Sequence, residues 1–289
     1  MRMTEPSGRS AVLTSQRVWA GKQGLPVSAR GYLSHFRANL RQPLSLATEA
    51  ALRAGSGSEL EDRPARASNP LAPAKMRALH SSSALAVNVF DFWVGRDLTR
   101  VLAALHVDGK ATTLGFEAKL PTGARGIPPN VDVVIGLAGN GLVGVESKFT
   151  EWMTPKGDMV GKLAPYVDSK NAASYWSRAN LNACHRLAMA ISARTAIFRH
   201  LDVAQLLKHA LGIKRAVNGD WFLRYLYFDA NGAAAKSHEG EISAFTQAVG
   251  DELRFDAIRY QDFLASLGPP LDAGEADYFA YNNERYFGR

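Results

Sequence analysis

The chain carries one cysteine, Cys184, in 289 residues, and one thiol cannot build an internal disulfide framework. Set between Ala183 and His185, it reads as a small packing residue, and a reducing compartment is the expected setting. No run approaches the ~18 apolar residues of a membrane span, and residues 1–15 lack the continuous apolar core of a secretion signal. A cytoplasmic protein with no membrane partner is expected. The phosphate-cradling pattern GxxxxGK[ST] is absent, which argues against a P-loop enzyme. His185 has no Cys or His companion at ligand spacing, so no zinc centre is expected.

What is present reads as an ordinary globular composition, 46% hydrophobic and 21% charged, with length enough for a sizeable core. The formal charge is +7, but it is regional. Residues 156–215 hold ten Lys or Arg against three Asp and residues 1–75 hold eleven against five acidic residues, whereas residues 216–289 hold six against twelve. A basic block favours a polyanionic partner, because each neutralised phosphate releases counterions. The alternative is a solvated helical surface.

Composition divides the chain into an N-terminal extension, 1–75, partly flexible and rich in Arg, Ser, Gly and Pro, a main domain over 76–270, and a C-terminal tail, 271–289. Within the extension a helix is expected over 32–46. Ser81, Ser82 and Ser83 are helix N-cap residues ahead of the apolar stripe ALAVNVFDFWVGRDLTRVLAAL. Strands are expected at 112–120, 131–137 and 142–149, the last two joined by the turn AGNG. A helix over 172–193, a strand at 221–229, a helix over 239–249, a short strand at 255–260 and a helical turn at 262–267 follow. The order predicts an α/β fold with a mixed sheet.

The two apolar strands around AGNG contain only three charges, Asp132, Glu146 and Lys148. Charge inside a buried strand carries a desolvation cost that calls for a compensating partner. Side chains two apart share a strand face, so Glu146 and Lys148 project together, and the hairpin brings Asp132 near them. Two carboxylates suit Mg²⁺, which takes hard oxygen ligands and keeps several waters. Such a site fits phosphodiester hydrolysis, with Lys148 orienting or deprotonating the water. The competing reading is a strand-edge ion pair of Glu146 with Lys148.

This arrangement resembles the PD-(D/E)XK nucleases, with Asp132, Glu146 and Lys148 standing for the motif residues. The segments HSSSALAVNVFDFW, VESKFTEW and LRYLYFD are similar to a bacterial restriction-endonuclease-like family over about residues 57–267. Asn130-Val131 stands before Asp132 where the motif's Pro is usual. The resemblance implies a restriction-endonuclease-like core, α-β-β-β-α-β, its mixed sheet flanked by helices. It also implies a Mg²⁺-dependent DNA endonuclease, with Mn²⁺ able to substitute, in restriction, phage defence or repair, leaving 5′-phosphate and 3′-hydroxyl ends. A homodimer would deliver double-strand breaks. Glu117 is the first choice for a supplementary metal ligand, ahead of Glu59 and Asp91, its alternative role being a pair with Lys119. Arg178, Asn182 and Arg186 on the following helix are expected to meet the DNA backbone, while Glu151 and Lys156, just past the motif, read as surface charge, with the phosphate region as their alternative place. The rival functions are a non-catalytic nucleic-acid-binding protein of the same fold and a metal-dependent enzyme on another substrate.

Overall fold

The computed structural model describes residues 8–55, 57–63, 72–124, 128–167 and 172–287. Of the linker expected around 55–75, residues 56 and 64–71 lie outside the described residues, as does Lys170 of the basic block. The apolar runs pair into one mixed sheet. β1 (Ala111–Lys119), β2 (Asn130–Leu137) and β3 (Gly141–Lys148) form an antiparallel meander, and β4 (Trp221–Tyr227) and β5 (Phe255–Arg259) add in parallel, in the order β1-β2-β3-β4-β5. In the β2–β3 turn Gly139 and Asn140 take φ of 75° and 59°, left-handed values that Gly and Asn accept readily and that suit a hairpin's twist. β3 and β4 are buried along nearly their whole length, as strands with parallel neighbours and covered faces are.

The helices before the sheet are α1 (Gly8–Lys22), α2 (Leu46–Gly55), α3 (Ser82–Phe90) and α4 (Thr99–Ala104). Between β3 and β4 run α5 (Val160–Val167), α6 (Ala172–Arg178), α7 (Asn182–Ser192) and α8 (Val203–Ala216). After β4 come α9 (Ala233–Val249), α10 (Tyr260–Ser266) and α11 (Ala273–Asn282). This is an α/β fold compatible with the restriction-endonuclease-like class. Ser81 caps α3 as its position predicts, its Oγ accepting the Ala84 N–H at 3.2 Å. Ser147 and Glu146 alternate across β3. Ser147 Oγ meets the Ser82 carbonyl while Glu146 meets α8, so α3 and α8 cover opposite faces of that strand.

Three helical expectations need correcting. The helix read after the serine cluster stops at Phe90, passes into a 3₁₀ turn at Asp91–Trp93, and resumes only at Thr99, because Gly95 at φ 76° reverses the chain between them. The helix expected over 172–193 is two, α6 and α7, with Asn180 at φ 56° in the break. Residues 32–46 hold only the 3₁₀ turn Phe36–Asn39, and α2 begins after Pro43, a residue that cannot continue a helix.

Described residues of the 1–75 and 271–289 stretches pack against each other. Arg285, 1% exposed, donates to the Asn39 carbonyl at 2.7 Å and to Tyr281 Oη at 2.6 Å. Its guanidinium lies 4.1 Å from the Trp19 ring centroid, a cation–π contact, and Gln16 donates to the Arg285 carbonyl. Residues from α1, the Asn39 turn and the segment after α11 thereby close on one another.

Candidate active site

The β2–β3 ladder ends at the pair Val133–Val145, and just beyond it the strands exchange side-chain contacts. Asp132 Oδ2 accepts the Ser147 N–H at 2.8 Å. Phe116 pairs with Val133 and Ala118 with Val131, which sets Glu117 opposite Asp132. Glu117 takes φ 49°, a left-handed conformation uncommon for a residue with a Cβ and frequent at functional sites. Its Oε2 accepts from Asn130 Nδ2 at 2.8 Å. The C-terminal end of α2 abuts it: a Cβ on Gly55 would stand 3.0 Å from Glu117 Cβ. Lys119, the partner considered for Glu117, instead donates to the Ala54 carbonyl at 2.7 Å.

Glu146 is fully buried and bonds through Oε1 to Lys148 Nζ. On its other side, His209 Nε2 stands 2.8 Å from Glu146 Oε2. The ring is not directed along a hydrogen bond, so Oε2 and both ring nitrogens lack hydrogen-bond partners among the described residues. Lys148, its side chain 12% exposed, also donates to Gln205 Oε1 at 3.2 Å. Gln205, His209 and Ile213 recur every four residues and so form one stripe of α8. Ile213 sits over Gly144, where an added Cβ would clash with its Cδ1. One helical stripe thus meets positions 148, 146 and 144 of β3 in turn. The sequence reading missed it because 203–216 was not assigned as a helix, although Asp202 is an N-cap signal and its side chain accepts the Gln205 N–H at 3.1 Å.

Crowding pulls the ionisation states apart. Burial, aided by the neighbouring Glu59, pushes Glu117 up to about 7. Asp132 is driven well above the ordinary aspartate value, first by burial and then by Glu146. Burial would raise Glu146 too, but Lys148 and His209 prevail and bring it down to about 2. Lys148 is raised although burial opposes its charge, because Glu146 and Asp132 hold the ammonium. Two carboxylates therefore favour the proton while a third stays ionised, the division that marks acid and base roles at functional sites. Lys148 is accordingly held as an ammonium between Glu146 and Asp132.

Of the alternatives to Glu117, Glu59 is 1% exposed and pairs with Lys75 at 2.6 Å, whereas Asp91 is taken up by Thr48 and Ser45 at the start of α2. Glu59 is near the cluster and Asp91 serves the helix. Arg178, Asn182 and Arg186 are exposed, and they make no hydrogen bond or ion pair with the described residues. α7 turns its apolar side to α5 and α9 and its first N–H groups to Glu252, and no side-chain hydrogen bond or ion pair among the described residues joins Arg178, at the end of α6, or Asn182 and Arg186 to the hairpin. His185 stacks on Trp176 at 6.0 Å, and Cys184 is buried, its thiol pushed up to about 12 by that burial.

Among the described residues no three His, Cys, Asp or Glu side chains form a ready-made metal centre. Mg²⁺ needs fewer, since one or two carboxylates with waters and substrate oxygens complete its shell. Glu146 Oε2, which faces His209 without a directed hydrogen bond, is the kind of hard oxygen such an ion would satisfy, so the residues fit the group. No described helix is long and apolar enough to cross a membrane. A family model described as restriction endonuclease associating with ARP matches residues 58–287. No curated protein and no solved structure matches the chain.

Proposed function

Because the chain belongs to the family of restriction endonucleases associating with ARP, we propose that it is a metal-dependent DNA endonuclease of the PD-(D/E)XK type. The observation that carries the reading is the convergence of Glu117, Asp132, Glu146 and Lys148 on adjacent strands with divided ionisation states. Asp132 and Glu146 would hold Mg²⁺ or Mn²⁺, with Glu117 supplementing them. A bound ion there supplies Lewis acidity and a more acidic water. The chain's own part is to orient and to neutralise. Lys148 presents a fixed ammonium to negative charge that develops on the phosphorus oxygens. Glu146 fixes that ammonium, and Gln205 and His209 hold the pair from α8. DNA is the proposed substrate and a homodimer the proposed form for double-strand cutting.

The test is cleavage of supercoiled and linear DNA with Mg²⁺, Mn²⁺ or EDTA, run beside the Asp132→Ala protein. Metal-dependent cutting lost in the variant is expected. Equal cutting by the variant would refute the site. Salt-sensitive binding without any cutting would favour the non-catalytic nucleic-acid-binding reading.

A further inference from the structure

An open cleft of about 460 Å³ lies between the N-terminal end of α3 and the loop that follows β3. That size is within the roughly 300–1,000 Å³ of small-molecule sites. Three cations from separate parts of the chain line it, namely Arg9 of α1, Lys75 and Lys156, with His80 among them and Glu151 as the one carboxylate. Glu151 is occupied, its Oε2 accepting the Phe149 N–H at 2.9 Å. Neither Arg9 nor Lys156 has a hydrogen bond or ion pair from its side chain among the described residues. His80 Nδ1 is buried without a hydrogen-bond partner among them. Lys75 is paired with Glu59 and the Glu151 carboxylate also faces the cleft, but Arg9 and Lys156 have no ion-pair partner of their own among the described residues, and an anionic ligand seated between them removes their mutual repulsion. Ser82 and Ser83, whose N–H groups open a nine-residue helix, line the same cleft and add unpaired donors to it.

The cleft adjoins the acidic cluster on two sides. Thr150 and Glu151 follow Lys148 directly along the chain, and Lys75 reaches Glu59, the neighbour that helps raise Glu117. We infer that the cleft seats adjacent backbone phosphates of the DNA strand, held by Arg9, Lys75 and Lys156 beside the bond that is cut. The inference rests on the nuclease reading for its choice of polymer and names where that substrate sits. Arg178, Asn182 and Arg186 would then lie outside the strand's path near the hairpin.

The experiment is fluorescence anisotropy of a labelled DNA duplex in EDTA, titrated over KCl concentration. Each phosphate contact contributes about 0.9 to the slope of log affinity against log salt. The Arg9→Ala/Lys156→Ala protein should therefore lose about 2 from that slope, and Lys156→Gln alone about 1. Arg9→Lys/Lys156→Arg should restore it, and Lys236→Ala, an exposed lysine of α9, should leave it unchanged. An unchanged slope in the double variant, a slope lost only in Arg178→Ala/Arg186→Ala, or tighter binding of a matching RNA would overturn the inference. Because no cutting occurs in EDTA, its failure is separate from failure of the nuclease reading. That reading is judged by the Asp132→Ala cleavage comparison.

Discussion

Glu117→Gln should make the metal-free protein more stable while impairing it as an enzyme. The carboxyl is held at about 7 against an ordinary value of 4.5, and each pK unit corresponds to about 1.4 kcal/mol. Below pH 4.5 Glu117 is protonated in both the folded and unfolded chain, so it contributes no pH dependence. Between 4.5 and 7 the unfolded chain loses its proton while the folded one keeps it, so stability falls as pH rises. Above 7 the deficit is complete, at about 3 kcal/mol. Glutamine keeps an oxygen for the Asn130 hydrogen bond and carries no charge to be desolvated. The advantage of the variant over wild type should therefore be near zero at pH 4.5, grow through pH 6, and level off above pH 7.

The assay is urea unfolding in EDTA at several pH values, reading the midpoint at constant m. Metal should reverse the ranking, because an ion that binds only the folded wild-type site stabilises it by mass action. Adding Mn²⁺ should raise the wild-type midpoint more than the variant's. A difference between the two proteins that is independent of pH, or one that grows toward acid, would refute the electrostatic reasoning.

His209→Ala removes the group beside Glu146 Oε2. Mn²⁺ affinity, read by electron paramagnetic resonance without substrate, and the cleavage rate should both fall about 10–100-fold, the usual effect of losing a residue that orients a ligand. Should His209→Ala weaken neither, α8 is only a structural cover. Arg285→Met leaves Asn39 Oδ1 buried without its donor, while the Asn39 carbonyl keeps only the Asn88 Nδ2–H. It should lower urea stability by about 3 kcal/mol, and a loss below about 1 kcal/mol would show that the two chain ends are held independently of Arg285.

β2 was legible because burial on one face writes a period of two, β3 and β4 because they are nearly continuous apolar runs, and AGNG supplies the two residues that a left-handed turn needs. The hairpin charges were legible for a related reason, since Asp132, Glu146 and Lys148 interrupt runs that are otherwise apolar. α8 was not, because its buried residues, Leu206, Leu207, His209, Ala210, Leu211 and Ile213, include an imidazole among apolar neighbours, and nothing local says that it faces a carboxylate. The positions of Glu59 and Asp91 depend on how α2 and the segment after it fold back over β1, which is a long-range fact.

Charge was the least legible. Counting along the chain placed the basic block at 156–215, where Arg178 and Arg186 are exposed and make no side-chain ion pair among the described residues. Lys156, at the edge of that block, meets Arg9 and Lys75 from the other end of the protein. Electrostatic attraction depends on separation in space, and a sum over a stretch of sequence measures only abundance. Three cations drawn from distant segments into one cleft weigh more at a phosphate than a larger number spread around a helix, because the field that a strand feels adds where the charges converge.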